Sequence, residues 1–125
     1  MYETRLKRKK DLTIACFSRP SSLDDLAGNL ALMKEAIIEV SQRGCDLLVF
    51  GEAYLQGFEG FSFSYREDIH KALFVRSPDI TLIRHWAREH KVGVAFGFLE
   101  NEAGALYSSY LVIDKAGELA GHYRR

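Results

Sequence analysis

The hydrophobic residues of this chain follow two different spacings, which alternate along the sequence. Short runs of consecutive or alternating apolar residues predict β-strands at residues 12–17, 47–50 and 92–98. Two more such runs, at residues 107–113 and 119–123, are separated by a turn at residues 114–117 and predict a hairpin. Another turn is predicted at residues 101–104.

Two segments repeat their apolar residues at intervals of three and four, which is the spacing of one helix face. The first stripe consists of Leu23, Leu26, Leu30, Met33, Ile37 and Val40. Ser22 is the predicted N-cap of this helix and Gly44 its predicted end. The second helix begins at Ser77 and Pro78, and its inward face consists of Ile80, Ile83, Trp86 and Ala87.

The predicted order βαβαβ, followed by hairpins, indicates an α/β fold. Right-handed crossovers between parallel strands place both helices on one face of a mixed sheet. The other face is then left without a layer of helices, although an apolar sheet face has to be buried against another layer. We therefore expect something further to cover it.

Composition narrows the class of protein. The 125 residues suffice for one domain, and 17 basic residues balance 17 acidic ones, which favours neither nucleic acid nor a charged partner. The basic run at residues 5–10 precedes the first strand, and we interpret residues 1–11 as a solvated arm. No apolar stretch is long enough for a membrane span or a secretory signal, so we expect a soluble, cytoplasmic protein. Cys16 and Cys45 are expected to be small buried hydrophobic residues.

The strand at residues 47–50 ends at a single carboxylate, Glu52. Gly51 is expected to let the backbone turn sharply just before it. In α/β sheets, the crevice outside the carboxyl ends of the strands is where ligands bind. Glu52 is therefore a candidate catalytic acid or base, and the alternative is a solvated carboxylate at a strand end.

Other candidate sites are weaker. His85 and Glu89 lie four residues apart on the second helix, but without a third ligand they are typical of a solvated helix face. The loop after the first strand lacks the glycine pattern of a dinucleotide site. We therefore expect neither a metal nor a cofactor. The aromatic residues of the irregular segment at residues 53–75 either line a substrate pocket or pack in the core; they are Phe58, Phe61, Phe63 and Tyr65.

Three blocks of sequence occur in an informative order. Residues 44–52 read Gly-Cys-Asp-Leu-Leu-Val-Phe-Gly-Glu, residues 97–100 form the second block, and the third runs from Tyr107-Ser108-Ser109 to Tyr123-Arg124-Arg125. Together they resemble the nitrilase, or carbon-nitrogen hydrolase, superfamily. The resemblance implies that residues 12–125 form the N-terminal half of an α-β-β-α sandwich.

The resemblance also implies a mechanism with a Glu-Lys-Cys triad that hydrolyses a small amide or nitrile. Glu52 matches the family's glutamate, the general base, and Arg125 stands at the position of the family's lysine. Neither Cys16 nor Cys45 matches the family's cysteine, which lies on a later turn. The resemblance therefore implies that this chain alone is inactive.

Two other functions stay open. The chain is either part of an enzyme or a truncated, non-catalytic homologue that binds a full-length relative or a second copy of itself. In the second case, two uncovered sheet faces would pack together and form a homodimer. A third possibility is a domain that binds a small ligand near Glu52 without turning it over.

Overall fold

The computed structural model describes residues 11–22 and 24–125, and within them the chain forms one five-stranded sheet. The strands, in spatial and chain order, are Ile14–Cys16 (β1), Leu47–Val49 (β2), Gly93–Glu102 (β3), Ala105–Ile113 (β4) and Leu119–Arg124 (β5). β1, β2 and β3 are parallel, whereas β4 is antiparallel to both β3 and β5. The mixed α/β sheet is therefore confirmed. The basic run at residues 5–10 and the predicted stripe residue Leu23 lie outside the described residues.

The helices are Leu26–Gln42 (α1), Tyr65–Asp68 (α2) and Pro78–His90 (α3). The cap of α3 is confirmed, since Ser77 accepts a hydrogen bond from the backbone N–H of Ile80 at 3.4 Å. The cap predicted for α1 is wrong, because Asp25 takes that role and accepts from the N–H of Gly28 at 2.9 Å. Ser22 lies outside the helix, where the buried side chain of Asn29 binds its backbone N–H and C=O. No helix in the described part of the chain is both long and apolar enough to cross a bilayer.

The hydrophobic core lies between the sheet and the two long helices. Its strand residues alternate along the chain, so they project from one face of the sheet. The helices contribute Leu30, Met33, Ile37, Ile80, Ile83 and Trp86. The sheet contributes Leu48, Phe50, Val94, Phe96, Phe98, Leu111 and Ile113. Both long helices therefore cover the same face, as predicted.

Neither long helix covers the opposite face of the sheet, and among the described residues only the loop after β2 packs against part of it. Its side chains, which we call the open face, are Ile14, Cys16, Leu47, Val49, Tyr110, Val112 and Tyr123. Ile14 is 52% exposed and Tyr123 is 64% exposed. The predicted burial of Cys16 is wrong, because the edge strand β1 turns this side chain onto the open face. Cys45 is buried, as predicted, and its thiol lies 3.2 Å from the carbonyl oxygen of Leu47.

Candidate active site

A loop that follows β2 places Glu52 above the middle of the sheet. β2 is short, so the second half of β3 has no strand beside it on that side. The loop occupies this edge instead: Gly97 N–H donates to Gly51 O at 3.1 Å, and Leu55 N–H donates to Gly97 O at 3.2 Å. The buried side chain of Gln56 accepts from Leu99 N–H at 2.9 Å and donates to Leu99 O at 3.0 Å. Since the edge has its hydrogen bonds satisfied, the position of the loop is determined by β3.

Gly97 allows the loop to lie directly against the sheet. A Cβ atom at this position would stand 2.4 Å from the backbone nitrogen of Ala53 and 2.7 Å from the Cα of Glu52. The chain turns directly after Gly51, but a Cβ atom at Gly51 would meet nothing within 4 Å and its φ is not positive, so neither property requires glycine there. Ala53 adopts the left-handed conformation instead, with φ of 47°. The close approach to β3 thus explains the glycine at position 97.

The carboxylate of Glu52 contacts two donors from distant parts of the chain. Its Oε1 atom accepts from the hydroxyl of Ser108 at 2.9 Å and from the guanidinium of Arg125 at 3.0 Å. Arg125 follows β5 directly, and its backbone N–H and C=O pair with those of Ser108 at 3.0 and 3.1 Å. The structure therefore brings the two predicted site residues together and adds Ser108, which the sequence indicated only as a member of the third block.

One oxygen of the Glu52 carboxylate is left available to accept a proton. The Glu52 side chain is 46% exposed, and its Oε2 atom receives no hydrogen bond from the described residues. A carboxylate with a free oxygen can accept a proton from a nearby group. The guanidinium of Arg125 is a permanent positive charge beside the same point, where it can stabilise a developing anion.

Two hollows meet at Glu52, and both are also lined by Ser108 and Arg125. The smaller one, about 260 Å³, extends to Tyr110 and Tyr123 on the open face. The larger one, about 400 Å³, extends to the aromatic residues of the loop. A hollow of about 520 Å³ between α3 and the β4–β5 turn is bigger than either, but Glu52 does not line it.

A second acid, Glu100, is fully buried behind the site. It accepts two hydrogen bonds from Arg124 at 2.9 and 3.0 Å, one from Ser109 at 2.7 Å, and lies 2.8 Å from Nε2 of His122. Burial raises the pKa of Glu100, but the hydrogen bonds from Arg124, Ser109 and His122 outweigh that effect and lower the pKa to about 2. Glu100 is therefore an anion that ties β3, β4 and β5 together.

Sequence reasoning overlooked this network, although a signal was present. Glu100 continues the alternating series of Val94, Phe96 and Phe98, which face the core, so its burial follows from the period of β3. The same alternation holds in β5, where Arg124 points toward Glu100 and its neighbour Arg125 points to the opposite face.

The other candidates remain apart from this site. His85 and Glu89 form an exposed pair on α3, with 3.5 Å between the imidazole and the carboxylate. His122 contacts Glu100. In the described ranges, no three side chains of the metal-binding types form a cluster.

Comparison with known proteins adds to this geometry. The model of the carbon-nitrogen hydrolase family matches residues 13–125. A cyanide hydratase of Neurospora crassa is 29% identical over 110 aligned residues, and the alignment covers 81% of this chain and 31% of that protein. An aliphatic nitrilase of Rhodococcus rhodochrous is 29% identical over 102 aligned residues, and the alignment covers 71% of this chain and 27% of that protein. The chain thus spans about a third of the length of these relatives.

A solved structure has the same fold. An amidase from Nesterenkonia sp. superimposes with a TM-score of 0.72 over 95% of this chain and 44% of its own. The sequence identity is 17%, so this likeness concerns the fold alone. The match covers less than half of the amidase chain.

Proposed function

This chain belongs to the carbon-nitrogen hydrolase family, and we propose that it supplies the general base of a site that hydrolyses the C–N bond of a nitrile or amide. The observation behind the proposal is the cluster of Glu52, Ser108 and Arg125 on the open face. The names of the relatives include a cyanide hydratase, a nitrilase and, among solved structures, an amidase. These names support nitriles and amides as the substrate classes.

In the proposed reaction, Glu52 takes the proton of a thiol. The resulting thiolate attacks the nitrile or amide carbon, and Arg125 stabilises the negative charge that develops on the nitrogen or oxygen. With an amide, Glu52 then returns the proton to the leaving nitrogen, which departs as ammonia. With a nitrile, the proton goes to the nitrogen of the thioimidate that first forms, and one water molecule adds to this thioimidate before ammonia departs. In both cases Glu52 then activates the water that hydrolyses the acyl-enzyme. Ser108 holds the carboxylate in place through its hydroxyl.

The thiol in this proposal comes from a segment or molecule outside the described residues. The thiol of Cys45 is buried against the backbone, and Cys16 lies on the edge strand β1 and does not bond to Glu52. The hydrogen-bond partners of Glu52 among the described residues are Ser108 and Arg125.

Arginine in the place of the family's lysine changes one aspect of the chemistry. A guanidinium keeps its proton at every accessible pH, whereas an ammonium group can give it up. Arg125 therefore acts as a fixed charge and does not donate a proton. Proton transfer falls entirely to Glu52.

The proposal is tested by supplying the missing nucleophile. We expect the 125-residue chain alone to release no ammonia from a panel of small nitriles and amides. With a small thiol such as 2-mercaptoethanol added, we expect ammonia release above that of thiol and buffer, because the free oxygen of Glu52 can deprotonate a bound thiol. Glu52→Gln should return ammonia release to the rate of thiol and buffer alone. The part of the rate that the protein adds should fall by on the order of 100-fold.

Glu39→Gln is the matched control, since Glu39 is an exposed glutamate of α1 far from the hollows. It should leave the thiol-dependent rate unchanged. Thiol-dependent release that persists in Glu52→Gln would contradict a base role for Glu52. Turnover by the chain without added thiol, abolished by Glu52→Gln, would contradict the need for an external nucleophile.

A second candidate function is self-association through the open face. The observation in its favour is that this face has exposed apolar and aromatic side chains, whereas the two long helices pack against the other face of the sheet. Two copies packed face to face would bury Ile14 and Tyr123 of each chain. This function does not require catalysis, and it is tested separately by the state of assembly.

A further inference from the structure

The larger hollow beside Glu52 has two kinds of lining. One part is polar and consists of Glu52, Ser108 and Arg125. The other part is apolar, and we call it the aromatic wall; it consists of Phe58, Phe61, Phe63, Tyr65, Leu99 and Leu106. The volume of about 400 Å³ lies in the range of sites that bind small organic molecules. The hollow therefore offers an apolar compartment directly beside the proposed chemistry.

Within the wall, the ring of Phe58 makes edge contacts with two other phenylalanine rings. The centroid of Phe58 lies 6.5 Å from that of Phe61 and 6.4 Å from that of Phe63, with ring planes at 65° and 72°. These are edge-to-face pairs, in which each contact covers only one face of one ring. Phe58 is 48% exposed and Phe63 is 82% exposed. The rings are thus presented toward solvent, outside the core.

The backbone of Phe63 is held in an unfavourable conformation. Its φ of 60° lies in the left-handed region, which a bulky residue rarely adopts. Such a conformation persists only where the surroundings enforce it, and it is concentrated at functional sites. Here it displays an apolar ring instead of burying one.

The enforcing group is Asp68, which is 5% exposed. Its carboxylate accepts from the N–H of Phe63 at 2.9 Å, and from the N–H and hydroxyl of Ser62 at 3.0 and 2.9 Å. The hydroxyl of Tyr65 donates to Gly104 O at 2.6 Å, which attaches this segment to the β3–β4 turn. The part of the aromatic wall that contains Phe63 and Tyr65 is therefore fixed both by Asp68 and by the β3–β4 turn.

We propose that the aromatic wall binds an aryl group of the substrate, so that the substrate is an arylalkyl nitrile or amide. This inference rests on the proposed function and specifies the substrate class of the same site. The aryl ring stacks against Phe58 and Phe63, while the nitrile or amide carbon lies near Glu52 and Arg125. An aliphatic substrate would leave the exposed rings in contact with water.

The test compares the binding of 2-phenylacetamide and acetamide to the 125-residue chain by NMR titration. We expect phenylacetamide to bind at least about tenfold more tightly, as burial of one aryl ring against aromatic side chains allows. Phe63→Ala should reduce this preference to about twofold or less, while Phe63→Leu, which keeps apolar bulk without a ring, should retain an intermediate preference. Circular dichroism confirms that each variant is folded.

Phe74→Ala is the matched control, because Phe74 is 58% exposed and does not line the hollow. It should leave the preference unchanged. The proposal would be overturned if the chain bound the two amides equally or bound neither. It would also be overturned if the preference for phenylacetamide survived in the double variant Phe58→Ala, Phe63→Ala. The two proposals can also fail separately. If the preference depends on Phe63 but thiol-dependent ammonia release is the same in Glu52→Gln, the aryl site is supported and the proposed function is contradicted.

Discussion

At the scale of single residues, the site depends on contacts that span the whole sequence. Glu52 is 56 residues from Ser108 and 73 residues from Arg125, yet one carboxylate oxygen contacts both. The position of Glu52 after an apolar strand was sufficient to predict it as a candidate. The contact with Ser108 could not be predicted, because it depends on how β4 and β5 pair and on the loop that crosses β3.

Gly97 provides a test of that loop. In Gly97→Ala, the new methyl group would meet the backbone of Glu52 and Ala53 within 2.7 Å, so the segment that presents the base must move. We expect the free energy of unfolding to fall by about 1–3 kcal/mol, the usual cost of overpacking. Thiol-dependent ammonia release should fall as well. Chemical denaturation and the ammonia assay measure the two effects.

Gly51→Ala is the control for this substitution. Gly51 is near Glu52 in the chain, but a Cβ atom there meets nothing within 4 Å. Its stability and rate should stay close to those of the parent chain. If both alanine variants behave alike, backbone proximity at Gly97 is not what places Glu52.

At the scale of elements, one buried carboxylate, that of Glu100, binds side chains of the two strands that follow its own. Glu100 on β3 binds Ser109 on β4 and His122 and Arg124 on β5. Because neighbouring residues of a strand face opposite sides, this anchor for Arg124 orients Arg125 toward the open face. The elements themselves followed from periodicity, but β3 extends to Glu102, beyond the predicted end at residue 98. The two-residue turn at Ala103 and Gly104, both with positive φ, permits the longer hairpin.

Because the pKa of Glu100 is lowered in the folded chain, we expect the free energy of unfolding to fall in acid. A carboxyl group whose pKa is about 2 in the folded chain and 4.5 when unperturbed stabilises the fold fully above pH 4.5. That stabilisation is lost as the pH falls from about 4.5 to about 2, because the unfolded chain then binds the proton more readily. The loss amounts to about 3 kcal/mol by the relation between pKa and free energy. Urea unfolding across this pH range measures it.

Glu100→Gln should remove this pH dependence and lower stability at neutral pH, since Arg124 loses its anionic partner. Glu102→Gln is the control: Glu102 contacts the same Arg124 at 3.3 Å, but its side chain is 50% exposed. An exposed pair contributes little, so this variant should keep the acid-sensitive component. If Glu100→Gln retains the parent's pH profile, another carboxylate is responsible for it.

At the scale of the whole molecule, the open face and the proposed site are the same side of the sheet. Glu52, Ser108 and Arg125 lie over the face that also bears Ile14 and Tyr123. Whatever covers this face therefore also shields the site from water. The order of strands and helices in the sequence predicted that one face of the sheet lacks a layer of helices. It did not predict that Glu52 lies over that face.

Self-association through the open face is tested by sedimentation. If two copies pack face to face, the chain should sediment as a dimer at micromolar concentration, and Ile14→Lys should shift it to monomer, because a charge cannot be buried there without a partner. Ile14 is already 52% exposed in the single chain, so the fold should tolerate the substitution.

Leu82→Lys is the matched control, since Leu82 is 41% exposed on α3, on the helical side of the sheet. It should leave the dimer intact. A parent chain that sediments as a stable, well-folded monomer when dilute would contradict self-association.

The sequence by itself determined the five strands, the two long helices, their order and the position of Glu52 after a strand, but not the short helix α2. These properties depend on neighbours in the chain, since periodicity and turn residues act over a few positions. Tertiary structure decided the rest: Gly97 permits the close approach of the loop, Cys16 faces outward, and Ser108 joins Glu52 and Arg125. Each depends on strand register and on the loop that satisfies the free edge of β3, and such long-range hydrogen bonds leave no local pattern in the sequence.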